Sequence, residues 1–265
     1  MKSRAHFVCC WPGRRGSACR PPGGTEIAPV RVLAATAAIG SLLACGTATA
    51  AAPEYKLSLG LDCSSGRYGQ AELVNICMVP YSLQVLSDRY ELKLSVPYYD
   101  VRAEAGSGTR GVGDASFYAA RTVLEEALGL DAIELNLKVK ARNGSSARGL
   151  GTGRTAYNLG FGLTKLAGTQ HLVLAYGGLT ARSRPGSEIG GFAVVWYKYL
   201  ASPRVRIGLL YENNEVGYAK RIETFAVMPE LVVGGGWTLK PFVYVGLNGF
   251  APDKGIGMVG SYSLR

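Results

Sequence analysis

The chain has 265 residues and a formal net charge of +10, with 18% charged residues, 36 glycines and 15 tyrosines. Proteins average roughly 25% charged residues and about 7% glycine, so this composition argues against a disordered tail, a coiled coil or a helical repeat. Two histidines and no CxxC motif argue against a zinc site, and no Walker, HExxH or GxSxG motif is present. We therefore expect neither a metal nor an organic cofactor.

The N-terminal segment predicts an export signal. Residues 31–52 read RVLAATAAIGSLLACGTATAAA, which is one arginine, an uncharged Ala/Leu-rich run and an A-x-A ending. This pattern is typical of a secretory signal peptide cleaved near Ala50 or Ala51. Residues 1–30 show no periodicity, and we interpret them as a long n-region or as the result of a mis-set translation start. We therefore predict a leader at residues 1–50 and a single mature domain at residues 51–265.

Three other interpretations of the leader remain open. The run could be an uncleaved membrane anchor, although its alanine content makes it only weakly hydrophobic. Leu42 to Cys45 could be a lipobox with a lipidated Cys45. Arg14 and Arg15 could belong to a twin-arginine signal, but the Gly-Ser-Ala that follows them does not fit that pattern.

The predicted mature domain carries little excess charge. Residues 1–50 hold six basic residues and one acidic residue, so the remainder has a net charge of +5. It contains no Lys/Arg cluster of the kind that binds nucleic acid, and we expect no nucleic-acid partner. Cys63 and Cys77 are the two cysteines left, and an even pair in an exported protein predicts a disulfide.

Hydrophobic residues in the mature domain alternate with polar ones at a period of two, which is typical of β-strands with one apolar face. The clearest case is Ile133 to Arg142, where Ile, Leu, Val and Ala alternate with Glu, Asn, Lys and Arg. The pattern predicts twelve strands, at residues 55–63, 75–86, 90–100, 114–124, 131–141, 155–165, 171–181, 188–199, 204–213, 219–230, 236–248 and 255–264.

The connections between these strands alternate between short and long. Such alternation is typical of an antiparallel barrel in an outer membrane, with tight periplasmic turns and longer external loops. A sheet that crosses a bilayer must close on itself, because lipid offers no hydrogen bonds to an open edge. We therefore predict an all-β fold, a single antiparallel transmembrane β-barrel of about twelve strands surrounded by outer-membrane lipids.

The alternative fold is a secreted β-sandwich, which would show the same alternation. Charges in mid-strand, such as Glu134 and Lys138, disfavour it because a packed sandwich core would bury them without partners. Tyrosines at strand ends on the apolar face favour a membrane barrel, since interfacial aromatic belts are typical of that class. These tyrosines are Tyr55, Tyr90, Tyr98, Tyr157, Tyr176, Tyr211 and Tyr218.

Three segments carry a family resemblance. Gly111–Asp114 reads GVGD and opens a strand, Lys138–Lys140 is followed by GLGTGRT at Gly149–Thr155, and Ala251–Gly257 reads APDKGIG before the last strand. Together they resemble the outer-membrane family described as the MetA pathway of phenol degradation, over about residues 55–264. The resemblance implies an outer-membrane barrel with a transport role and no defined substrate.

The chain departs from the family pattern at two places. Ala141 and Arg142 stand where the family commonly has Pro-Thr, and the chain ends Tyr262–Arg265 without the usual terminal aromatic residue. Leu264 is the residue that would take the place of that aromatic side chain.

The polar faces of the predicted strands supply the candidate site. Six basic and four acidic residues are expected to face the lumen, where near-balanced charges would largely pair. They would either line a narrow solute path with at most a slight preference for anions or simply fill the barrel. The candidates are Lys56, Asp62, Glu91, Lys93, Arg121, Glu134, Lys138, Lys140, Arg206 and Glu212.

Two further features are candidate sites. His171 is the single mature histidine, and a lipid hydrolase would need it beside a serine, but its place after a tight turn favours a plain residue at the periplasmic rim. The Gly149–Gly153 run lacks the following helix of a phosphate loop and is expected to be a flexible loop.

Three functions follow from these features. The leading one is a passive channel for a small solute, hydrophobic or aromatic if the family label is informative, by diffusion through the lumen or lateral release into lipid. The alternatives are a membrane-embedded lipid hydrolase that uses His171, and a structural or adhesin-like barrel that acts through its loops.

Overall fold

A computed structural model describes residues 52–106, 108–183, 189–215 and 221–264. The leader, with the cleavage position near Ala50 and Ala51 and the lipobox at Cys45, lies outside the described residues. Among the residues that the model describes, no helix is long and apolar enough to cross a bilayer.

The described part of the chain is almost entirely β-structure. The strands are β1 (Glu54–Gly66), β2 (Val74–Leu86), β3 (Tyr90–Ala103), β4 (Gly108–Val112), β5 (Ser116–Ala127), β6 (Leu130–Lys140), β7 (Ala156–Ala167), β8 (His171–Arg182), β9 (Ile189–Ser202), β10 (Val205–Glu215), β11 (Arg221–Gly234), β12 (Trp237–Gly246) and β13 (Lys254–Leu264). A single 3-10 turn (Ser146–Arg148) lies in the connection between β6 and β7.

The sheet closes into a barrel. Apart from β4 and β5, each strand pairs antiparallel with its neighbour along the chain, and β1 pairs with β13 from Tyr55↔Leu264 to Ser65↔Lys254. Strands β4 and β5 both pair with β3, so together they occupy one position in the wall. The predicted twelve-stranded antiparallel barrel is confirmed.

The extra strand β4 was not predicted. Residues 101–113 were expected to be a loop, but Gly108–Val112 pairs with Tyr98–Arg102 and extends the β2–β3 wall at the loop end. The strand reads GTRGV, with two glycines and an arginine in five residues, so its sequence shows no apolar alternation. Its pairing with β3 therefore depends on the hairpin and not on a hydrophobic face.

Two sets of connections separate the two ends of the barrel. Ser87–Arg89, Leu128–Gly129 and three similar short turns lie at the end that also holds Glu54 and Leu264. The longer connections, including residues 67–73 and 141–155, lie at the opposite end. The predicted alternation of short and long connections is confirmed, and we call these the turn end and the loop end.

The outer face of the barrel is an exposed apolar surface. Leu57, Leu59 and Leu61 in β1 are about half exposed, whereas the intervening Gly60 is buried. Strands across the barrel repeat this pattern, with Leu159 at 65% and Ile256 at 64% exposure. Leucines left in water at this density would be unfavourable, so this surface fits the hydrocarbon of a bilayer.

Prolines interrupt the ladder between β11 and β12. Strands β11 and β12 pair up to Val227↔Val243 and resume at Leu231↔Leu239, and the unpaired stretch brings Pro229 opposite Pro241. Proline has no N–H group, so this position loses both hydrogen bonds of a narrow pair. We call this gap the proline seam.

Candidate functional site: the barrel lumen

Nine of the ten candidate residues share the inner face. The pairing register places Lys56, whose neighbours across β1 are Gln84 and Ser263, on the face opposite the exposed leucines. The same parity, followed strand by strand, puts the other eight inside. They are Asp62, Glu91, Lys93, Glu134, Lys138, Lys140, Arg206 and Glu212.

Arg121 is the exception, and its expected lumen position is wrong. It pairs with Tyr90 on one side and Leu135 on the other, and both of these residues are on the outer face. Tyr90 begins β3 next to a short turn, so Arg121 lies at the membrane boundary. There a long side chain can keep its stem on apolar surface and its guanidinium in water.

The expected aromatic belt is also corrected at one position. Tyr176 pairs with Gly162 and Val194 on the inner face, so it is a lumen residue and not a belt residue. Tyr218 lies outside the described residues. The remaining five tyrosines of the set lie on the outer face, with Tyr55 at 47% exposure.

The middle of the lumen holds a carboxylate between two phenols. Glu134 on β6 accepts hydrogen bonds from Tyr118 on β5 and Tyr176 on β8. On the adjacent wall, Glu91 Oε1 accepts a hydrogen bond of 2.7 Å from Gln84 Nε2. Carboxylates held in this way by neighbouring strands fill and stiffen this part of the barrel.

A second group near the turn end is dominated by cations. Glu230 Oε1 lies 2.9 Å from Arg206 Nη1, and Glu230 Oε2 lies 3.1 Å from Lys240 Nζ and 3.7 Å from Lys198 Nζ. Lys56 interacts electrostatically with both Lys240 and Glu230. These five residues come from five strands, and we call them the basal cluster.

An indole ring supports the basal cluster. Lys198 Nζ lies 3.7 Å from the centroid of the Trp196 ring, and Lys240 Nζ lies 5.9 Å from it. The ring fits because β10 has a glycine beside it: a Cβ on Gly208 would lie 2.6 Å from Trp196 Nε1. A lysine over an aromatic face gains a cation–π interaction, which fixes the direction of its ammonium group.

Sequence reasoning missed Lys198, Glu230 and Lys240. The strands at 188–199 and 219–230 show apolar residues on both faces, because Trp196 and Met228 point inward beside the charged residues. The signal that could have found them is the strand parity. Tyr197 and Tyr199 mark the outer face of β9, which leaves Lys198 inside.

A buried carboxylate ties down the longest connection at the loop end. Asp114, in the break between β4 and β5, accepts hydrogen bonds from the backbone N–H of Gly144 (2.9 Å) and of Thr152 (2.7 Å) and from the Thr152 hydroxyl (2.8 Å). Lys140 Nζ lies 3.7 Å away. Burial alone would raise the pKa of Asp114, but these hydrogen bonds and Lys140 outweigh it and lower the pKa.

The tied connection covers part of the lumen mouth. Asn143 Oδ1 accepts a 2.7 Å hydrogen bond from the backbone N–H of Ala115, and Leu150 is only 2% exposed. Leu150 packs against Gly111, which pairs with the inward-facing Tyr99. The expectation of a flexible Gly149–Gly153 loop is therefore wrong, because this run is folded against the inner side of the β3–β4 hairpin.

The two mature cysteines form a disulfide. Cys63 on β1 and Cys77 on β2 are direct cross-strand partners, with a Cα–Cα distance of 4.1 Å. Their odd-numbered positions put the bridge on the outer face at the loop end, where Cys63 pairs with the exposed Ile256 on its other side. The bridge closes the connection at residues 67–73 at its base.

His171 lies on the outer face at the turn end. It is the first residue of β8, its Nδ1 lies 2.7 Å from the Tyr197 hydroxyl, and its ring packs near Tyr197 and Tyr199. A hydrolase needs a nucleophile on one ring nitrogen and an orienting group on the other. The His171 ring contacts the tyrosines Tyr197 and Tyr199, which is the arrangement of an aromatic belt residue.

Within the described residues, no group of three or more His, Cys, Asp or Glu side chains could hold a metal ion. The inner face presents charged and hydrogen-bonding side chains, among them Glu134, Glu91 and the basal cluster.

Solved structures share this architecture. The translocator domain of the autotransporter NalP from Neisseria meningitidis matches with a TM-score of 0.54 and 9% identity, over 89% of this chain and 95% of that one. The KdgM porin in complex with disordered oligogalacturonate matches with a TM-score of 0.52 and 11% identity, over 80% of this chain and 99% of that one. The fold is that of an outer-membrane β-barrel. At these identities the likeness concerns the fold alone.

Sequence comparisons add no closer assignment. No family model matches the chain, and no curated protein matches it. The resemblance to the MetA family therefore stays a prediction.

Proposed function

We propose that this chain is an outer-membrane channel through which small solutes diffuse without energy input. The observation that carries the proposal is the division of the wall into two faces: leucine, phenylalanine and tyrosine outside, lysine, arginine, glutamate and asparagine inside. A barrel that only needed to be stable in lipid could fill its interior with apolar side chains. Charged side chains are costly to bury in a dry interior, and this many of them on the inner face favours water there.

The dimensions of the barrel favour small solutes. Eight-stranded barrels are filled by side chains and those of about 16–18 strands enclose open channels, so twelve strands give an intermediate lumen. The connection at residues 141–155, held by Asp114, narrows the loop end further. The inward-facing candidates named above are the proposed lining of the path.

Two comparisons support the proposal without naming a solute. The KdgM porin, which shares the fold, was solved in complex with oligogalacturonate, so a barrel of this kind admits a polar solute in that protein. The resemblance to the MetA family supports a transport role and suggests aromatic solutes. The resemblance rests on the segments at Gly111–Asp114, Gly149–Thr155 and Ala251–Gly257.

The proposal includes export by the leader. Residues 1–50 would direct the chain across the inner membrane and be removed near Ala50 or Ala51. Amino-terminal sequencing of the protein purified from the outer-membrane fraction tests this step, with Ala51 or Ala52 expected as the first residue. A mature chain that starts at Val30 or carries a lipid on Cys45 would contradict it.

Conductance measurements test the channel. Refolded protein in a planar lipid bilayer is expected to give discrete current steps in about 1 M KCl. Salt at this concentration screens the surface charge of the protein. Heat-denatured protein at the same concentration is the control. A folded barrel without resolvable steps would contradict the channel and favour a structural or adhesin-like role.

A second arm separates the channel from a lipid hydrolase. His171→Ala is expected to leave the current steps unchanged, because His171 lies on the outer face. Lipid turnover by the wild type that is lost in His171→Ala would instead support the hydrolase.

A further inference from the structure

The basal cluster carries more positive charge than its single carboxylate can balance. Lys56, Lys198, Arg206 and Lys240 converge from β1, β9, β10 and β12 on Glu230 of β11, the one carboxylate with which described residues of this group form ion pairs. All five side chains point inward by their register. Glu54 and Glu91 add attraction to Lys56, and Glu91 also attracts Lys240, while an anion in the lumen can supply the further counter-charge.

The donors of the cluster also exceed its acceptors. A lysine ammonium has three donors and an arginine guanidinium has five, whereas a carboxylate offers about four acceptor sites. Lys56 forms no ion pair within 4 Å among the described residues. Arg206 remains 39% exposed, and because it points inward, that exposed surface faces the lumen.

The cluster is fixed and not a loose group of flexible side chains. Lys198 is 14% exposed and Lys240 is 21% exposed, and both lie over the Trp196 ring. Positively charged groups that are already positioned lose little entropy when an anion arrives. The indole adds an apolar surface beside the ammonium groups, which suits an anion that has a carbon skeleton.

Glu230 shows which kind of anion these donors bind. Glu230 Oε1 accepts a hydrogen bond from Arg206, and Glu230 Oε2 forms ion pairs with Lys240 and Lys198. A carboxylate that enters from the lumen can use the remaining donors of the same side chains in the same planar geometry.

We propose that the basal cluster is an anion site that binds the carboxylate of small organic acids as they cross the barrel. The inference rests on the proposed channel function and assigns its substrate class. The site lies near the turn end, because Lys56 and Arg206 are within three residues of the ends of β1 and β10. An anion drawn through the lumen would meet it last on the way to the periplasm.

Reversal potentials test the charge preference. In a planar bilayer with a KCl gradient, the wild type is expected to prefer chloride to potassium. The double variant Lys198→Met/Lys240→Met is expected to lower the chloride-to-potassium permeability ratio by about thirtyfold, because two charges at roughly 8 Å across water change the energies of chloride and of potassium by about 1 kcal/mol each, in opposite directions. Glu230→Gln keeps every cation and is expected to raise the ratio.

A matched control separates the lumen from the surface. Lys165 lies on the outer face at the turn end of β7, paired with Asp131, so Lys165→Met removes a charge without touching the lumen. It is expected to leave the permeability ratio unchanged. A difference in gel mobility between unheated and heated samples checks that each variant is folded.

Organic probes test the substrate class. Benzoate is expected to reduce the KCl current at concentrations at which the neutral benzamide has no effect, and the double variant is expected to lose this block. Equal block by the two probes, or stronger block by inorganic phosphate than by benzoate, would overturn the carboxylate assignment.

The outcomes distinguish this inference from the function on which it rests. Current steps with no anion preference in the wild type would overturn the anion site alone. The absence of any current from folded protein would overturn the channel and, with it, the anion site.

Discussion

At the scale of single residues, Asp114 has the largest structural role at the loop end. Its side chain is fully buried, and its two oxygens hold Gly144 and Thr152, which lie 30 and 38 residues further along the chain. A carboxylate can accept at both oxygens, and an isosteric amide can accept at only one. The fold of the connection at residues 141–155 therefore depends on the charge of this residue.

Asp114→Asn is expected to release the connection. The amide NH2 group would face the N–H of Thr152, and the loss of charged hydrogen bonds costs about 2 kcal/mol, or roughly a thirtyfold rise in the open population. A nitroxide attached at Ala147→Cys, an exposed position, reports the release as faster motion in the spin-resonance spectrum. An unchanged spectrum would show that Asn143 and Leu150 hold the connection without Asp114.

The same probe is expected to respond to pH. The pKa of Asp114 is lower in the fold than in an unfolded chain, so its stabilising effect is complete above the unfolded value and is lost as the pH falls through the folded value. The label in the wild type should therefore become mobile on acidification below about pH 4. With Asp114→Asn, the label should be mobile throughout and show no such transition.

The sequence indicated the parts of this contact but not the contact itself. Both Gly111–Asp114 and Gly149–Thr155 stand out as motifs, and each could be located at the loop end. Their pairing depends on how a fifteen-residue connection folds back onto β4. No local periodicity encodes that step, because glycine-rich segments have no apolar face to direct them.

At the scale of strands, alternation predicts the structure well because lipid enforces it. All twelve predicted strands agree with observed ones within four residues at each end, because each outward position must suit hydrocarbon. The rule failed for β5, where Arg121 outside and Tyr118 inside leave neither face purely polar. Alternation did not assign the two faces of β9 and β11, because the apolar side chains of Trp196 and Met228 point into the lumen.

Leu59→Arg is expected to destabilise the barrel, whereas Ser58→Arg is not. Leu59 is the sixth of thirteen residues in β1 and 53% exposed on the outer face, so an arginine there would meet hydrocarbon at a cost of about 2–4 kcal/mol. Ser58 is its neighbour on the inner face, beside the small side chains Ser82 and Ser261. Urea unfolding in lipid vesicles compares the two variants.

Equal losses in the two variants would contradict this assignment of faces. It would also remove the main argument for an aqueous lumen, because that argument depends on which face carries the charges.

At the scale of the whole molecule, closure of the barrel joins the two ends of the sheet. Strand β13 fits between β1 and β12 because its inward positions are small: a Cβ on Gly257 would lie 2.3 Å from the Phe242 ring and 2.4 Å from the Leu61 carbonyl oxygen. The outward Gly260 has its nearest neighbours at 3.7 Å and 3.8 Å. Position 257 therefore has no room for a side chain, whereas position 260 has room for a methyl group.

Gly257→Val is expected to prevent closure, and Gly260→Ala is expected to permit it. A valine at residue 257 would clash with backbone as well as with a ring, and the backbone cannot move aside without breaking the β1–β13 ladder. The measurement is gel mobility with and without heating, in which a closed barrel resists detergent until boiled. Heat-modifiable Gly257→Val protein would show that β13 is not held as tightly as these distances indicate.

Closure itself was predictable, since a sheet in lipid cannot keep a free edge. The composition of the lumen was less so, because residues from five strands meet in the basal cluster and their separations in the chain range from eight residues to more than 180. Parity assigns each of them to the inside. It does not show which members of the inner face become neighbours around the circumference.

The proline seam makes the contact between β11 and β12 sensitive to ionic strength. Between Val227↔Val243 and Leu231↔Leu239 the backbone ladder is replaced by a bridge from Glu230 to Lys240 on the inner side. Backbone hydrogen bonds within hydrocarbon are beyond the reach of dissolved ions, but a charge pair that faces water is weakened by them. The strength of the contact between β11 and β12 therefore depends in part on the ionic strength of the solution inside the barrel. Low salt outside the cell would strengthen this contact, and high salt would weaken it.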